Sequence, residues 1–420
     1  MKSLANPEFI NFLPGLPPQL VENLKTAAQK SRANNIAIVG GVVRDYLIHI
    51  FHGESLKKYQ DIDIVVEGSA KKLASEIEFI VGEQNISIHQ PNQSFDSVQV
   101  TLKDIVLDIS TARKEIYHSP GENPEVQSTT LQEDLGRRDF TINSIALDLF
   151  NNKLIDLFNG INDIKSRHIR FIHKNSVKED PTRIIRGARY ASRLDFTLDI
   201  ESLEQVKSTI NAWPWEWVIS NKPLNAPTSL SSRLRMEIEL LLEKEPWEKA
   251  IYKLQKWGAL VLLDQNIQRD LDWEIRIRWA RKLNVKPLTA LIAIAKDPFG
   301  LSLRLHLASK QQFLLKEAIE LKLLMEKLNE ENDHKDWGAW EWCNRIEIKN
   351  WDKEAISILI CLRIPLWKIL YRWSENWRLI KSNITAQDLV REGWEPGPEI
   401  GIELKRLRII ELKKLNSNKS

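Results

Sequence analysis

Two aspartates one residue apart, in Asp61-Ile62-Asp63-Ile64-Val65-Val66, constrain this chain more than any other stretch. Side chains at i and i+2 of a β-strand share a face. The alternation therefore predicts a strand with Asp61 and Asp63 on one side and Ile62 and Ile64 in a core. Two carboxylates held side by side repel each other unless a cation lies between them. Oxygen-only ligation suits Mg²⁺, which is commonly bound through one or two carboxylates plus substrate phosphates. Upstream, the apolar run Ile36 to Val39 breaks at Gly40 and Gly41 and enters Val42-Val43-Arg44-Asp45. The glycines permit close backbone approach, and the helix N-terminus after them favours an anion. Together the two stretches describe a place for a metal-bound triphosphate beside a strand. A third carboxylate, Asp108 at the end of Ile105–Ile109, would be brought beside the pair by an adjacent strand. There it is expected to act as a third metal ligand or as base for an attacking hydroxyl.

The rest of the chain divides by texture. Residues 1 to 35 hold a Pro-rich lead and a helix from about Gln19 to Arg32. Strand patterns follow at Ile36–Val39, Ile62–Val66, Ile86–His89, Ser97–Thr101, Ile105–Ile109 and Ile145–Phe150, with helices at Val42–Phe51 and Ala70–Val81. The polar stretch Ala112 to Glu133, with Pro120, Gly121 and Pro124, reads as a mobile loop. Beyond residue 160 helical spacing dominates, at Pro181–Leu194, Leu230–Lys244, Pro246–Val261, Leu271–Leu283 and Gln311–Leu328. Asn221–Thr228 reads as a loop and Asn329–Lys335 as a hinge between helical units. The fold class is thus α+β, a small mixed-sheet domain followed by helices. At 420 residues the chain is too long for one small core. Apolar content of 43% with 28% charged residues is ordinary for a globular protein. A net charge of +3 argues for nucleic acid only where cations cluster, as in the basic helix Leu404 to Lys414. That helix is open to two readings, a solvated face or a nucleic-acid contact. Two cysteines, no signal pattern and no membrane-length apolar run make a cytoplasmic protein the expectation.

Two further motifs carry functional groups. In Asp134-Leu135-Gly136-Arg137-Arg138-Asp139-Phe140-Thr141-Ile142-Asn143, arginine suits bidentate phosphate binding and Asp139 with Asn143 suits a sugar hydroxyl. If helical, the four-residue spacing sets Asp139 and Asn143 on one side. In Glu179-Asp180-Pro181-Thr182-Arg183-Ile184-Ile185-Arg186-Gly187-Ala188-Arg189, Asp180 and Pro181 punctuate a helix start. Arg183, Arg186 and Arg189, spaced in threes, predict a polar groove. An Asp and an Arg projecting together offer acceptors and donors to the edge of a base.

These ordered motifs, GGVVRD, DIDIVV, DLGRRDFTINSIALD, DLFNGINDIKSRHIR and EDPTRIIRGARYASRL, resemble the class II tRNA nucleotidyltransferase and bacterial poly(A) polymerase family, a branch of the DNA polymerase β-like nucleotidyltransferases. The resemblance covers roughly residues 36 to 245. It implies a nucleotidyltransferase head at 1–150, a base-recognising helical neck at 151–245, a helical body at 246–330 and a tRNA-binding helical tail at 331–420. It also implies template-independent addition of CCA, or part of it, to the 3′ end of tRNA from CTP and ATP. By this resemblance Asp61 and Asp63 bind two Mg²⁺ ions, and Gly40, Gly41, Arg44 and Asp45 support the triphosphate. Arg138, Asp139 and Asn143 recognise ribose and phosphates, and Asp180 and Arg183 read the base. Asp156 and Asp163 match a hinge-like motif, and Arg233 and Glu237 the last neck motif. The hinge reads Asp-Leu-Phe-Asn-Gly where the family usually has Asp-Pro-Phe-Gly-Gly, and Ser144 stands where Ala is usual. No His-Asp dipeptide occurs, so the phosphohydrolase domain fused to some relatives is not expected.

Alternatives are an A-adding or CC-adding enzyme, a poly(A) polymerase, or an RNA-binding protein with an inactive head. The intact Ala112–Glu133 segment disfavours CC-only addition, and Asp61, Asp63, Arg138 and Asp180 together disfavour an inactive head. All fifteen tryptophans follow residue 210, and their spacing favours core packing over stacking on RNA. No membrane or protein partner is expected.

Overall fold

A computed structural model describes residues 13–56, 58–89, 96–212, 228–331 and 334–417. The chain separates into two compact units, one holding the described residues up to 259 and the other those from 260 onward.

The first unit is built on a seven-stranded mixed sheet in the order β3-β4-β5-β2-β1-β8-β9. Its strands are β1 (Asn35–Val39), β2 (Asp61–Glu67), β3 (Ser87–His89), β4 (Ser97–Leu102), β5 (Ile105–Thr111), β8 (Ile145–Asp148) and β9 (Lys153–Asp156). Only β2 and β5 run parallel; the other neighbours are antiparallel. A parallel pair needs a crossover, and α3 (Ala70–Val81) supplies it, started by the Ser69 side chain accepting from the Lys72 amide. The helix α1 (Pro18–Lys30) packs against α3, with Leu24, Ala27, Leu73 and Ile77 fully enclosed. In β1 and β2 every second residue, Ala37, Val39 and Val65, belongs to a small core on one face with Leu131 and Leu135. The alternate residues Ile36, Ile38, Ile62 and Ile64 are buried on the other.

The expected strands all form, within a few residues of their predicted ends. The stretch 112–133 differs. Instead of a loop throughout, it holds a hairpin of β6 (Arg113–Ile116) and β7 (Glu125–Ser128), paired Arg113 to Ser128 and Ile116 to Glu125. The short helix α4 (Leu131–Gly136) follows, capped by the Thr130 side chain accepting from the Glu133 amide. Helices then take over with α5 (Gly160–Ser166), α6 (Ser176–Glu179), α7 (Thr182–Arg193) and α8 (Ile200–Ala212), plus two-residue strands at His168–Ile169 and Thr197–Leu198. Helices at Thr228–Lys244 and Trp247–Lys256 pack on α7. The loop expected at 221–228 lies outside the described residues except for Thr228, which starts a helix.

Every secondary-structure element among the second unit's described residues is a helix. The expected helices at 271–283 and 311–328 appear as Trp273–Lys282 and Ser309–Glu331, so the predicted hinge is helical as far as Glu331. Its core gathers Met325, Trp342, Ile356, Leu359, Leu370 and Trp373, and further tryptophans, Trp279, Trp337, Trp340 and Trp367 among them, pack around it. In the basic C-terminal helix, here Pro398–Ser417, Arg406, Arg408 and Lys414 are each paired to a glutamate. No helix among the described residues is long and apolar enough to cross a membrane.

Candidate functional site

Strands β1 and β2 pair with Val39 opposite Asp63, so the chain leaves β1 and turns at Gly40 directly beside that carboxylate. Gly40 takes φ +69°, and a Cβ there would lie 3.1 Å from Asp63 Oδ2 and 3.6 Å from Arg138 Nη1. Only glycine makes this turn without strain. The helix α2 (Gly41–His52) begins at once. On the other side of β2, β5 brings Asp108 opposite Asp63 and Val106 opposite Asp61. Register partners on neighbouring strands face the same way, about 4.8 Å apart. Asp61, Asp63 and Asp108 therefore occupy one face of the sheet. Asp108 Oδ1 accepts a hydrogen bond from Gln99 Nε2 at 2.9 Å.

Asp63 reaches solvent through the mouth of a cleft, yet the surrounding walls strip enough water to push its carboxyl above the ordinary range. Arg138 opposes that rise, and Asp108 and Asp61 add to it. Carboxylates crowded in this way suit a cation. Asp61 and Asp63 supply hard oxygen donors of the kind Mg²⁺ takes alongside phosphate oxygens. Among the described residues no group of three or more His, Cys, Asp or Glu side chains is gathered to hold a metal unaided.

The cleft measures about 920 Å³ and collects residues far apart in sequence. Asp63 and Asp108 line it from the sheet, Arg137, Arg138 and Asp139 from the stretch after α4, and Asp180, Arg183 and Arg186 from around the start of α7. Hairpin residues Arg113, Glu115, Tyr117 and Val126 line it too, as do Arg233, Met236 and Glu237 from Thr228–Lys244. Asp61 lies on the carboxylate face but not among the lining residues, and the same is true of Gly40 and Gly41 at the turn.

The charged groups are held with care for their hydrogen bonds. Arg138 donates to Asp134 Oδ2 at 3.2 Å, while its buried Nε has no protein partner. Asp139 Oδ1 accepts from Asn143 Nδ2 (3.0 Å), and its Oδ2 pairs with Arg186 (2.8 Å). Burial works upward on the Asp139 carboxyl, but Arg186 and Asn143 hold it below its usual value; Asp139 in turn raises Arg186 well above the ordinary guanidinium. Asp180 stands two residues before α7, its Oδ1 accepting from the Thr182 amide (3.0 Å) and hydroxyl (2.7 Å). Arg183 is buried and donates to the Arg137 carbonyl at 2.8 Å.

Four of the expected nucleotide-binding side chains sit away from the cleft wall. Arg44 is buried and donates to Asn143 Oδ1 (2.7 Å) and Asp45 Oδ1 (2.8 Å), with its guanidinium 5.2 Å from the Tyr190 ring centre. Arg44, Asp45 and Asn143 thus brace one another behind the site. Arg189, the third arginine of the expected groove, pairs with Glu237 and Glu245 instead. The Asp139–Asn143 contact forms without the helix its spacing suggests. Phe140 bridges to Phe171, and Thr141–Asn143 is a single 3₁₀ turn. At the hinge-like motif, Asp156 accepts from the amides of Gly160 (2.8 Å) and Ile161 (2.9 Å), and Asp163 from Thr141 Oγ1 (2.7 Å). A Cβ on Gly160 would fall 2.3 Å from the Thr141 carbonyl oxygen, so this contact demands glycine.

Sequence reasoning missed the hairpin wall. Arg113, Glu115 and Tyr117 stand at i, i+2 and i+4, the same two-residue period that revealed Asp61 and Asp63, but in a polar segment bracketed by turn residues. Glu115 Oε1 pairs with Arg137 (2.9 Å) and Arg113 (3.2 Å), and its Oε2 accepts from the Tyr117 hydroxyl (3.0 Å). Burial first, and then Glu115, push the Tyr117 phenol above its usual value. At the hairpin tip, the Gly121 carbonyl accepts from Arg233 Nη2 (2.8 Å), and Arg233 Nη1 donates to Asn123 Oδ1 (2.9 Å).

A family model described as the poly A polymerase head domain matches residues 36–170. The chain is 40% identical over 234 residues to the A-adding tRNA nucleotidyltransferase of Aquifex aeolicus (strain VF5), covering 55% of this chain but 26% of the relative, about a quarter of its length. It is 32% identical over 298 residues to the CC-adding tRNA nucleotidyltransferase of Deinococcus radiodurans, covering 68% of this chain and 70% of the relative. A solved apo structure of a CCA-adding enzyme aligns with TM-score 0.69 at 24% identity, over 95% of this chain and 93% of that one, a likeness of fold.

Proposed function

This chain belongs to the tRNA nucleotidyltransferase family with a poly(A) polymerase head, and from that premise we propose that it adds CMP and AMP, without a nucleic-acid template, to the 3′ end of tRNA. The observation that carries the reading is the register of β2 and β5. It sets Asp63 against Asp108 in the wall of a cleft that Asp180 and Arg183 also line.

In this reading Asp61 and Asp63 hold two Mg²⁺ ions, with Asp108 as a further ligand or as base for the tRNA 3′-hydroxyl. When bound, the metals supply the positive charge that acidifies the hydroxyl and offsets the charge of departing pyrophosphate. The chain's own residues do the rest. Gly40 lets the backbone come up to the phosphates, and the start of α2 presents amides to them. Arg138, whose side chain lines the cleft, takes a phosphate oxygen. Asp139, fixed by Asn143 and Arg186, faces the ribose. Asp180 and Arg183 read the edge of the base, and Arg186 closes that side. Arg44, Asp45 and Arg189 act through their partners, keeping Asn143 and Glu237 in place.

The reading extends to a cytoplasmic protein divided into head (1–150), neck (151–245), body (246–330) and tail (331–420), with tRNA along the helical parts. A second reading, A-addition alone, is favoured by the likeness to the A-adding relative at 40% identity.

One experiment separates these. Purified protein is given tRNAs ending in the discriminator base, in C and in CC, each with CTP or ATP alone, and the products are sized. A CCA-adding enzyme extends the first two with CTP and the third with ATP. An A-adding enzyme extends only the CC end. No product on any substrate overturns the proposal.

A further inference from the structure

Arg137 and Arg138 are adjacent and both line the cleft, but their hydrogen-bonding groups are spent differently. Arg138 makes one bond, to Asp134, and keeps a buried Nε without a protein partner. Arg137 is engaged on every side. Its Nε donates to Asp134 Oδ1 (2.9 Å) and to the Arg113 carbonyl (3.1 Å). Its Nη1 donates to Glu115 Oε1 (2.9 Å), and its Nη2 pairs with Asp134 Oδ1 (2.8 Å). A guanidinium so committed is poorly placed to take a ligand as well.

What Arg137 holds together is more informative than what it lacks. Its carbonyl accepts from Arg183 Nη2 at 2.8 Å. That carbonyl belongs to the peptide unit joining Arg137 to Arg138, so a displacement of Arg183 is felt at the backbone of Arg138. The Arg137 side chain also grips Glu115, whose other oxygen holds the Tyr117 hydroxyl. Beneath both arginines lies Asp134, fully enclosed, one oxygen on each guanidinium. Three parts of the cleft, namely the hairpin, the start of α7 and the arginine beside Asp63, therefore meet at one residue.

We propose that Arg137 is a positioning residue for nucleotide choice, tying Arg183 and the Glu115–Tyr117 pair of the hairpin to the placement of Arg138. The inference rests on the reading of this cleft as the nucleotide site given above. Arg137 contacts no substrate itself. It transmits the fit of the base at Arg183 and Tyr117 to the guanidinium that grips the phosphates, so that a wrong base leaves Arg138 out of position. A brace that only stabilised the fold would lower turnover of both nucleotides alike.

The test uses the full chain and whichever tRNA end the wild-type protein extends. Values of kcat/KM for ATP and CTP are measured on that tRNA for wild type, Arg137→Gln, Arg183→Ala and the double variant, with melting curves for each. The proposal expects Arg137→Gln to shift the ATP-to-CTP ratio by about 10-fold or more, the scale of one lost charged hydrogen bond. It also expects the shift to shrink to less than about 2-fold in the Arg183→Ala background, because coupled residues are not additive. Equal losses for both nucleotides, or effects that multiply independently, overturn it. Should Arg137→Gln fail to fold, Glu115→Gln, which keeps the shape of the bridge and removes its charge, is measured alone. A changed ratio supports the proposal and an unchanged ratio overturns it. A wild-type protein that adds neither nucleotide to any tRNA removes the reading of the cleft itself, an outcome distinct from unaltered selectivity in the variants.

Discussion

The two compact units bury different things. Among the described residues, the first encloses eight acidic or basic side chains, Arg44, Asp134, Asp148, Asp163, Arg183, Asp199, Glu237 and Glu245; the second encloses two, Asp264 and Glu317. The second unit's interior is instead aliphatic and aromatic, with two thiols. Its basic C-terminal helix spends three cations on glutamates: Arg406 on Glu403, Arg408 on Glu347 and Lys414 on Glu411. Taking a charge out of water costs free energy that an apolar group does not incur, and replacing buried ion pairs by apolar residues is often neutral or stabilising. A fold that concentrates buried charge in one unit marks where its chemistry lies. The helical unit reads as a scaffold built by ordinary hydrophobic burial.

That contrast can be broken by experiment. The largest effect on stability belongs to the second unit. Leu359→Ala deletes part of a side chain that is 1% exposed and should cost about 2–5 kcal/mol in denaturant unfolding. Its ATP-to-CTP preference should stay that of wild type, and an altered preference would end the division of labour. A smaller effect is expected at Asp139. Asp139→Ala removes one partner of Arg186, which is itself partly exposed and keeps Glu237, so the cost should be about 1–3 kcal/mol. Here pH gives a sign. The Asp139 carboxyl titrates below its usual value in the folded chain, so its contribution is complete above about pH 4 and is lost as pH falls through the lower folded value. Stability of wild type and Asp139→Ala measured from pH 6 downward should converge in acid; a gap that widens in acid contradicts the pairing. The smallest effect concerns the thiols. Burial pushes Cys343 and Cys361 up to about 12, so a chromogenic thiol reagent at pH 8 should leave the native protein untouched and titrate both after unfolding.

What the sequence revealed follows the same contrast. Asp61, Asp63 and Asp108 were legible because a strand's two-residue period is local, and apolar residues between the carboxylates fix which face they share. The helices of the second unit were legible through their apolar spacing. The hairpin was not. Its strands are four residues long and mostly polar, with one apolar residue each, and Pro120, Gly121 and Pro124 between them dominate any local reading. The arginines of α7 show the other limit. Threefold spacing places Arg183, Arg186 and Arg189 on related faces, but only tertiary contacts decide that Arg186 meets Asp139 while Arg189 meets Glu237 and Glu245. Likewise Asp139 and Asn143 meet, but through a 3₁₀ turn and the Phe140–Phe171 bridge, neither of which their spacing encodes.

The account stands on the carboxylate face of β2 performing nucleotide transfer. Its most direct test is Asp63→Ala, assayed in parallel for nucleotide addition and for tRNA affinity. Addition should fall on the order of 10³-fold or more, the scale of losing a central electrostatic group in an active site. The tRNA Kd should stay within about threefold of wild type, since phosphate contacts elsewhere carry binding. A variant that keeps wild-type turnover would contradict the account.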